Sequence, residues 1–260
     1  MMKYPIGIQS FSQIIEDGYV YADKTALVYD LVTTGKVYFL SRPRRFGKSL
    51  LVSTLECYFG ARKELFKGLA MERLEKNWYA YPVFKIDFNG GEYKQEGTLT
   101  STLLYYIELW EKDYGATSPE APIGKRFEQI LRNACEQTGR RVVILIDEYD
   151  KPMLQAIGNE ALQREFRNML KPFYGVLKTL DGCIKFALLT GVTKFGKVSV
   201  FSDLNNLNDI SMDEPFISIC GITEKEIHLN FEEDLHELAA AQKMTYQEVC
   251  NELKVCYDGY

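Results

Sequence analysis

The chain has 260 residues, 46% of them hydrophobic and 26% charged, with only 8 prolines and 19 glycines. That composition belongs to a globular protein and excludes disordered, collagen-like and low-complexity chains. Lysine and arginine number 31 against 36 acidic residues, a net charge of −5, so no overall basic field draws the protein to nucleic acid or an anionic membrane.

In chain order, helical patterns are expected at about Lys24 to Thr33, Lys48 to Phe59, Leu99 to Asp113, Lys125 to Gln137 and Glu160 to Thr179. Strand patterns fall between them, at Val37 to Ser41, Val83 to Phe88, Val142 to Ile146, Ile184 to Thr190 and Pro215 to Cys220. Most of these strands are apolar throughout, the mark of a sheet covered on both faces. The alternation predicts a doubly wound, mainly parallel five-stranded α/β sheet with right-handed crossovers and a ligand crevice at the carboxyl ends of the strands. From Gly221 the character changes. Thr223-Glu224-Lys225-Glu226 and Thr245-Tyr246-Gln247-Glu248 both have capping-box form, predicting helices at about 223–242 and 245–256. An α/β domain over residues 1–220 and a small helical appendage over 221–260 are therefore expected.

No apolar run approaches the roughly 20 residues of a membrane helix, and Met1 to Ile8 carries no signal-peptide pattern. A soluble cytoplasmic protein is expected. The six cysteines are scattered without a Cys-x-x-Cys pair, which favours reduced, buried thiols over disulfides or zinc. His228 and His236, two helical turns apart, are too distant to share a metal and are expected on a solvated helix face.

The chemistry concentrates in two places. After the first strand comes Ser41-Arg42-Pro43-Arg44-Arg45-Phe46-Gly47-Lys48-Ser49-Leu50, a short loop ending in Gly-Lys-Ser and opening a helix, which is the context of a phosphate-binding P-loop. Gly47 allows the turn, and the N–H groups from Arg45 to Leu50 would face phosphate oxygens at a helix start. The stretch Pro43, Arg44, Arg45, Phe46, Gly47, Lys48, Ser49 and Leu50 is thus assigned to nucleotide, with Lys48 on the β and γ phosphates and Ser49 on magnesium. The usual first glycine would fall at position 42, where this chain has arginine.

The second place is Val142-Val143-Ile144-Leu145-Ile146-Asp147-Glu148, a buried strand ending in adjacent carboxylates in the form of a Walker B segment. Asp147 would hold the magnesium ion, while Glu148, pointing the other way, would orient the attacking water. The strand Val83 to Phe88 lies in sequence between loop and carboxylates, an arrangement that favours a hydrolysing ATPase over a kinase. Thr190, ending the next strand, is the first candidate to sense the γ phosphate and Thr193 the second. Lys194 and Lys197 are candidate charges for the transition state. Arg42, Arg44 and Arg45 could instead touch nucleic-acid phosphates, but the acidic chain lends that reading no support.

These segments, with Tyr19-Val20-Tyr21-Ala22-Asp23-Lys24-Thr25, Asp147-Glu148-Tyr149-Asp150-Lys151-Pro152, Thr190-Gly191-Val192-Thr193-Lys194-Phe195, Phe201-Ser202-Asp203-Leu204-Asn205-Asn206-Leu207 and Tyr257-Asp258-Gly259-Tyr260, resemble the predicted AAA-ATPase-like family of gut and anaerobic bacteria. The resemblance implies a branch of the AAA+ and signal-transduction ATPases using ATP and Mg2+, in which the Arg-Pro-Arg-Arg loop is a family trait. It implies an adenine contact near Tyr21 to Thr25, where the residues themselves favour a helix start capped by Asp23. It also implies a following PD-(D/E)XK nuclease-like domain, making this chain an amino-terminal piece without a nuclease centre of its own. The expected activity is slow or partner-stimulated ATP hydrolysis driving a switch, the alternative being a nucleotide-binding scaffold without turnover. Oligomeric state and any arginine finger stay open.

Overall fold

The computed structural model describes residues 3–193 and 207–257. Lys194, Lys197 and the motif residues 195–206 and 258–260 lie outside them.

Five parallel strands form one sheet in the order β2-β3-β4-β1-β5: β1 (Val37–Ser41), β2 (Val83–Asp87), β3 (Val142–Asp147), β4 (Ile184–Gly191) and β5 (Asn208–Asp209). Alternate residues point to opposite faces, which explains the uninterrupted apolar runs. Phe39, Ile144, Ile146, Ala187 and Leu189 enter a core with α5 (Thr98–Tyr114), α6 (Ile123–Thr138), α7 (Lys151–Gln155) and α8 (Glu160–Thr179). Tyr38, Leu40, Val143, Leu145 and Leu188 face the second core, with α1 (Phe11–Glu16), α2 (Thr25–Thr34), α3 (Lys48–Phe59) and α4 (Ala70–Leu74).

Helices α3 and α8 begin and end at the residues their periodicity indicates. The short helices α1, α4 and α7 have too few residues to display a period.

One expectation is corrected. Pro215 to Cys220 is not a strand; Glu214–Phe216 forms a 3₁₀ turn, and Ile219 N–H closes the next turn on Phe216 O at 3.1 Å. Proline lacks the N–H a central ladder needs, and the turn buries Phe216, Ile219 and Cys220 against the second core. The fifth strand is instead the two-residue β5, pairing Tyr38 with Asn208 and Phe39 with Asp209. Val83–Asp87 falls in sequence between the loop and the carboxylates, as expected; in space β2 occupies the sheet edge and β4 lies between β1 and β3.

Beyond the sheet, α9 (Glu224–Gln242) and α10 (Tyr246–Tyr257) pack on each other around Leu235, Ala239 and Val249. Both capping boxes form: Glu226 N–H donates to Thr223 Oγ1 at 3.3 Å and Thr223 N–H to Glu226 Oε2 at 2.8 Å, and Thr245 and Glu248 repeat the exchange. Of the two histidines expected on a solvated face, His236 is exposed and His228 half-buried, and both meet Tyr246: His228 Nδ1 is 2.7 Å from its hydroxyl and the His236 ring lies 4.6 Å from its ring.

On the α6–α8 side, Phe127 stacks on Phe173 with centroids 4.4 Å apart, both rings buried. Truncating Phe127 to alanine should lower stability by about 3–5 kcal/mol, read as a reduced urea midpoint at unchanged m-value.

Candidate active site

The loop between β1 and α3 is shaped by two left-handed residues, Arg45 at φ +68° and Gly47 at φ +83°. Gly47 is the N-cap of α3 and supplies no side-chain cap. The first amides of α3 are therefore left for an external acceptor at the positive helix end. Lys48 is 4% exposed, and its Nζ donates to the carbonyls of Arg42 and Pro43, each at 3.1 Å. Those bonds fold the lysine back over its own loop.

Asp147 ends β3 beside that loop, and Glu148 follows it. Asp147 is buried and shares with Ser49 and Asp87 a polar cavity of about 440 Å³. Register places Asp87 directly beside Asp147 at the strand tips. Burial, and then the neighbouring Asp147 charge, raises the Asp87 pKa above the ordinary carboxylate value. A hydroxyl and two carboxylates form a hard oxygen donor set, which suits a hydrated magnesium ion.

Glu148 does not continue the strand's alternation. Its backbone is left-handed at φ +54°, and its Oε1 comes within 3.4 Å of Lys48 Nζ. Burial pushes the Glu148 pKa up while the lysine ammonium pulls it down, with the net shift upward. The carboxylate expected to orient the attacking water is thus paired with the loop's lysine.

Thr190 is fully buried, and its hydroxyl donates to Asp147 Oδ1. In this geometry it orients the carboxylate. Thr193 is also engaged: its N–H and Oγ1 both donate to Asp150 Oδ2, at 2.7 and 2.8 Å, and Val192 N–H donates to the same oxygen at 3.1 Å. Asp150 and Tyr149, unassigned by motif reasoning, knit the β3 and β4 tips together; Tyr149 N–H donates to Thr190 O at 2.9 Å and its hydroxyl to Thr193 O at 2.8 Å. Gly191 makes room for them, since a Cβ there would lie 2.5 Å from the Tyr149 ring and 2.7 Å from Asp150 Oδ1.

On the other side of the loop lies a second cavity, of about 290 Å³ and mainly apolar, walled by Tyr21, Ala22, Arg45, Phe46, Ile219 and Phe231. Gly47 and Leu50 also line it. Tyr21 and Ala22 therefore face the cavity; the N-cap of α2 is Lys24, without a side-chain cap bond, and Asp23, one residue earlier, ties the start of α2 to that of α4, its Oδ1 accepting from Thr25 N–H at 2.8 Å and its Oδ2 from Ala70 N–H at 2.8 Å. Motif reading missed Ile219 and Phe231, which come from distant segments. The signal for Phe231 is a break in α9, where φ −133° and ψ 21° interrupt the helix. Arg44 and Arg45 are exposed at the lip of the loop. Arg42 is turned aside, its guanidinium donating to backbone carbonyls of Ser41, Ser211 and Ile217.

Among the described residues, no helix is long and apolar enough to cross a membrane. No solved structure matches the chain. It is 39% identical over 259 residues to an uncharacterized protein in the vnfD 5' region of Azotobacter chroococcum mcd 1, an alignment covering 99% of this chain and 48% of that relative. The chain therefore spans about half the length of the relative it matches. The family described as Predicted AAA-ATPase matches residues 5–201. With that match over most of its length and the loop, strand tips and parallel sheet arranged as above, the chain belongs to the predicted AAA-ATPase family.

Proposed function

We infer that the chain is a magnesium-dependent ATP-binding and hydrolysing module whose nucleotide state drives the helices following residue 221. The convergence of Lys48, Glu148 and the Ser49–Asp147 cavity at one end of the sheet carries this reading.

The apolar cavity suits a purine base, and the free amides after Gly47 suit phosphate oxygens. Lys48 would exchange the Arg42 and Pro43 carbonyls for the β and γ phosphates. Ser49 and Asp147 would hold magnesium, with Thr190 orienting Asp147. A bound magnesium ion would supply neutralisation of phosphate charge. Once Lys48 engages phosphate, Glu148 would be released to orient and polarise the attacking water. Arg45, Phe46 and Leu50 would contribute to the wall between base and phosphates. The moved part would include a nuclease-like domain in longer relatives.

The alternative is a nucleotide-holding scaffold without turnover. The ion pair between Lys48 and Glu148 favours it, because a carboxylate held by lysine orients no water.

Titration calorimetry and phosphate-release assays on the purified chain separate the two. Lys48→Ala should weaken ATP binding about 10- to 100-fold, the worth of a charge-assisted hydrogen bond. Glu148→Gln should leave ATP affinity within a few-fold while lowering turnover about 10²- to 10⁴-fold. Chelating magnesium should stop hydrolysis in the unmodified chain. Tight binding without phosphate release would select the scaffold, and no ATP binding at all would sink both readings.

A further inference from the structure

Arg42 occupies the position of the usual first loop glycine, and each of its polar groups has a partner in a different part of the site. Its N–H donates to Gly191 O at the tip of β4, 3.1 Å away. Its carbonyl accepts from Lys48 Nζ at 3.1 Å. Its guanidinium donates to Ser211 O and, at 3.2 Å, to Ile217 O. Ser211 and Ile217 belong to the connector, residues 211–222, between β5 and α9. Ser211 is itself buried, its hydroxyl accepting from Ser41 N–H at 2.8 Å.

The connector is fastened to the loop a second time, where Gly221 N–H donates to Phe46 O at 2.9 Å. One turn into α9, Glu226 pairs with Lys24 at 2.5 Å beside the apolar cavity. The phosphate loop is thus tied at its entry, through Arg42, and near its exit, through Phe46, to the chain that leads into the terminal helices. A glycine at position 42 would leave the Ser211 and Ile217 carbonyls without these donors. Arginine's planar fork can serve two carbonyls at once, which a lysine ammonium on a flexible stem does less well.

We propose that Arg42 is a positioning residue that couples the phosphate loop to connector 211–222, so that phosphate at Lys48 alters the connector and α9. The proposal rests on the nucleotide-binding reading above. Its physical basis is that the Arg42 peptide gives up its Lys48 donor when phosphate arrives, while the same residue's side chain holds the connector.

Hydrogen exchange of the whole chain, with and without Mg-ATP, reads the two regions separately. In the unmodified chain, ATP should slow exchange in both 40–50 and 208–226, the latter roughly fivefold or more, the size of a typical coupling. Arg42→Gly should keep the response at 40–50 and ATP affinity within a few-fold, yet lose the response at 208–226. Arg42→Lys, which retains charge and length, should recover part of it; if the glycine variant does not fold, as judged by circular dichroism, a connector response reduced at least twofold in the lysine variant is the expected result. A connector response undiminished in the folded variants would overturn the proposal. So would loss of ATP binding in the variants alone, because Arg42 would then belong to the binding machinery. No binding in the unmodified chain would remove the nucleotide reading itself, and this proposal with it.

Discussion

Hydrogen bonding between parallel strands brings the carboxyl ends of β1, β4 and β3 to one level, and each group at the site hangs from that alignment. Leu40 is in register with Thr190, Ser41 with Gly191, and Asp87 with Asp147. Thr190 consequently reaches Asp147 across the β3–β4 boundary, while Ser41 Oγ donates to Val192 O at 3.0 Å on the opposite side of β4. A slip of one residue would exchange the faces on which these side chains emerge. The burial of both sheet faces is what prevents such a slip, since it would carry apolar side chains out of one core and into mismatched positions in the other.

Backbone strain is concentrated where chemistry is expected. Four non-glycine residues among those described have left-handed backbones, and two of them, Arg45 and Glu148, flank Lys48. Lys243 caps the end of α9 and Ala61 follows the end of α3, positions where such angles ordinarily terminate helices. No helix end calls for them at Arg45 or Glu148. Left-handed geometry at a non-glycine residue costs of order 1–3 kcal/mol and persists only where surroundings enforce it. At Glu148 the surroundings include Tyr149, whose N–H and hydroxyl are both bonded to the β4 end, and Lys151 N–H, which closes a turn on Glu148 O at 3.0 Å. The strain turns the carboxylate toward the lysine.

The loop also divides two unlike environments. On one side, carboxylates and a serine hydroxyl line a polar space; on the other, aromatic and aliphatic groups line an apolar one. A nucleotide has the same division, with a flat base at one end and charged phosphates with their cation at the other. Lys48 stands between, satisfied by two loop carbonyls and Glu148, so the buried ammonium is not left unpaired.

Much of the fold was legible because its signals are local. Apolar runs announced β1, β3 and β4, periodicity bounded α3 and α8, and Gly47-Lys48-Ser49 with Asp147-Glu148 marked the end of the sheet where the candidate site lies. The fifth strand escaped detection because Asn208–Asp209 is short and polar, and is a strand only through its pairing with β1. The same holds for the turn of Glu148 toward Lys48, the bonds from Arg42 to Ser211 and Ile217, and the cavity assembled from Tyr21, Phe46 and Phe231. Sequence by itself determined the kinds of element and the chemical groups at their tips, because backbone preference and side-chain alternation act over a few residues. Only tertiary structure decided strand order, the direction of each carboxylate and the partners of Arg42, because those depend on packing between segments as many as about 200 residues apart.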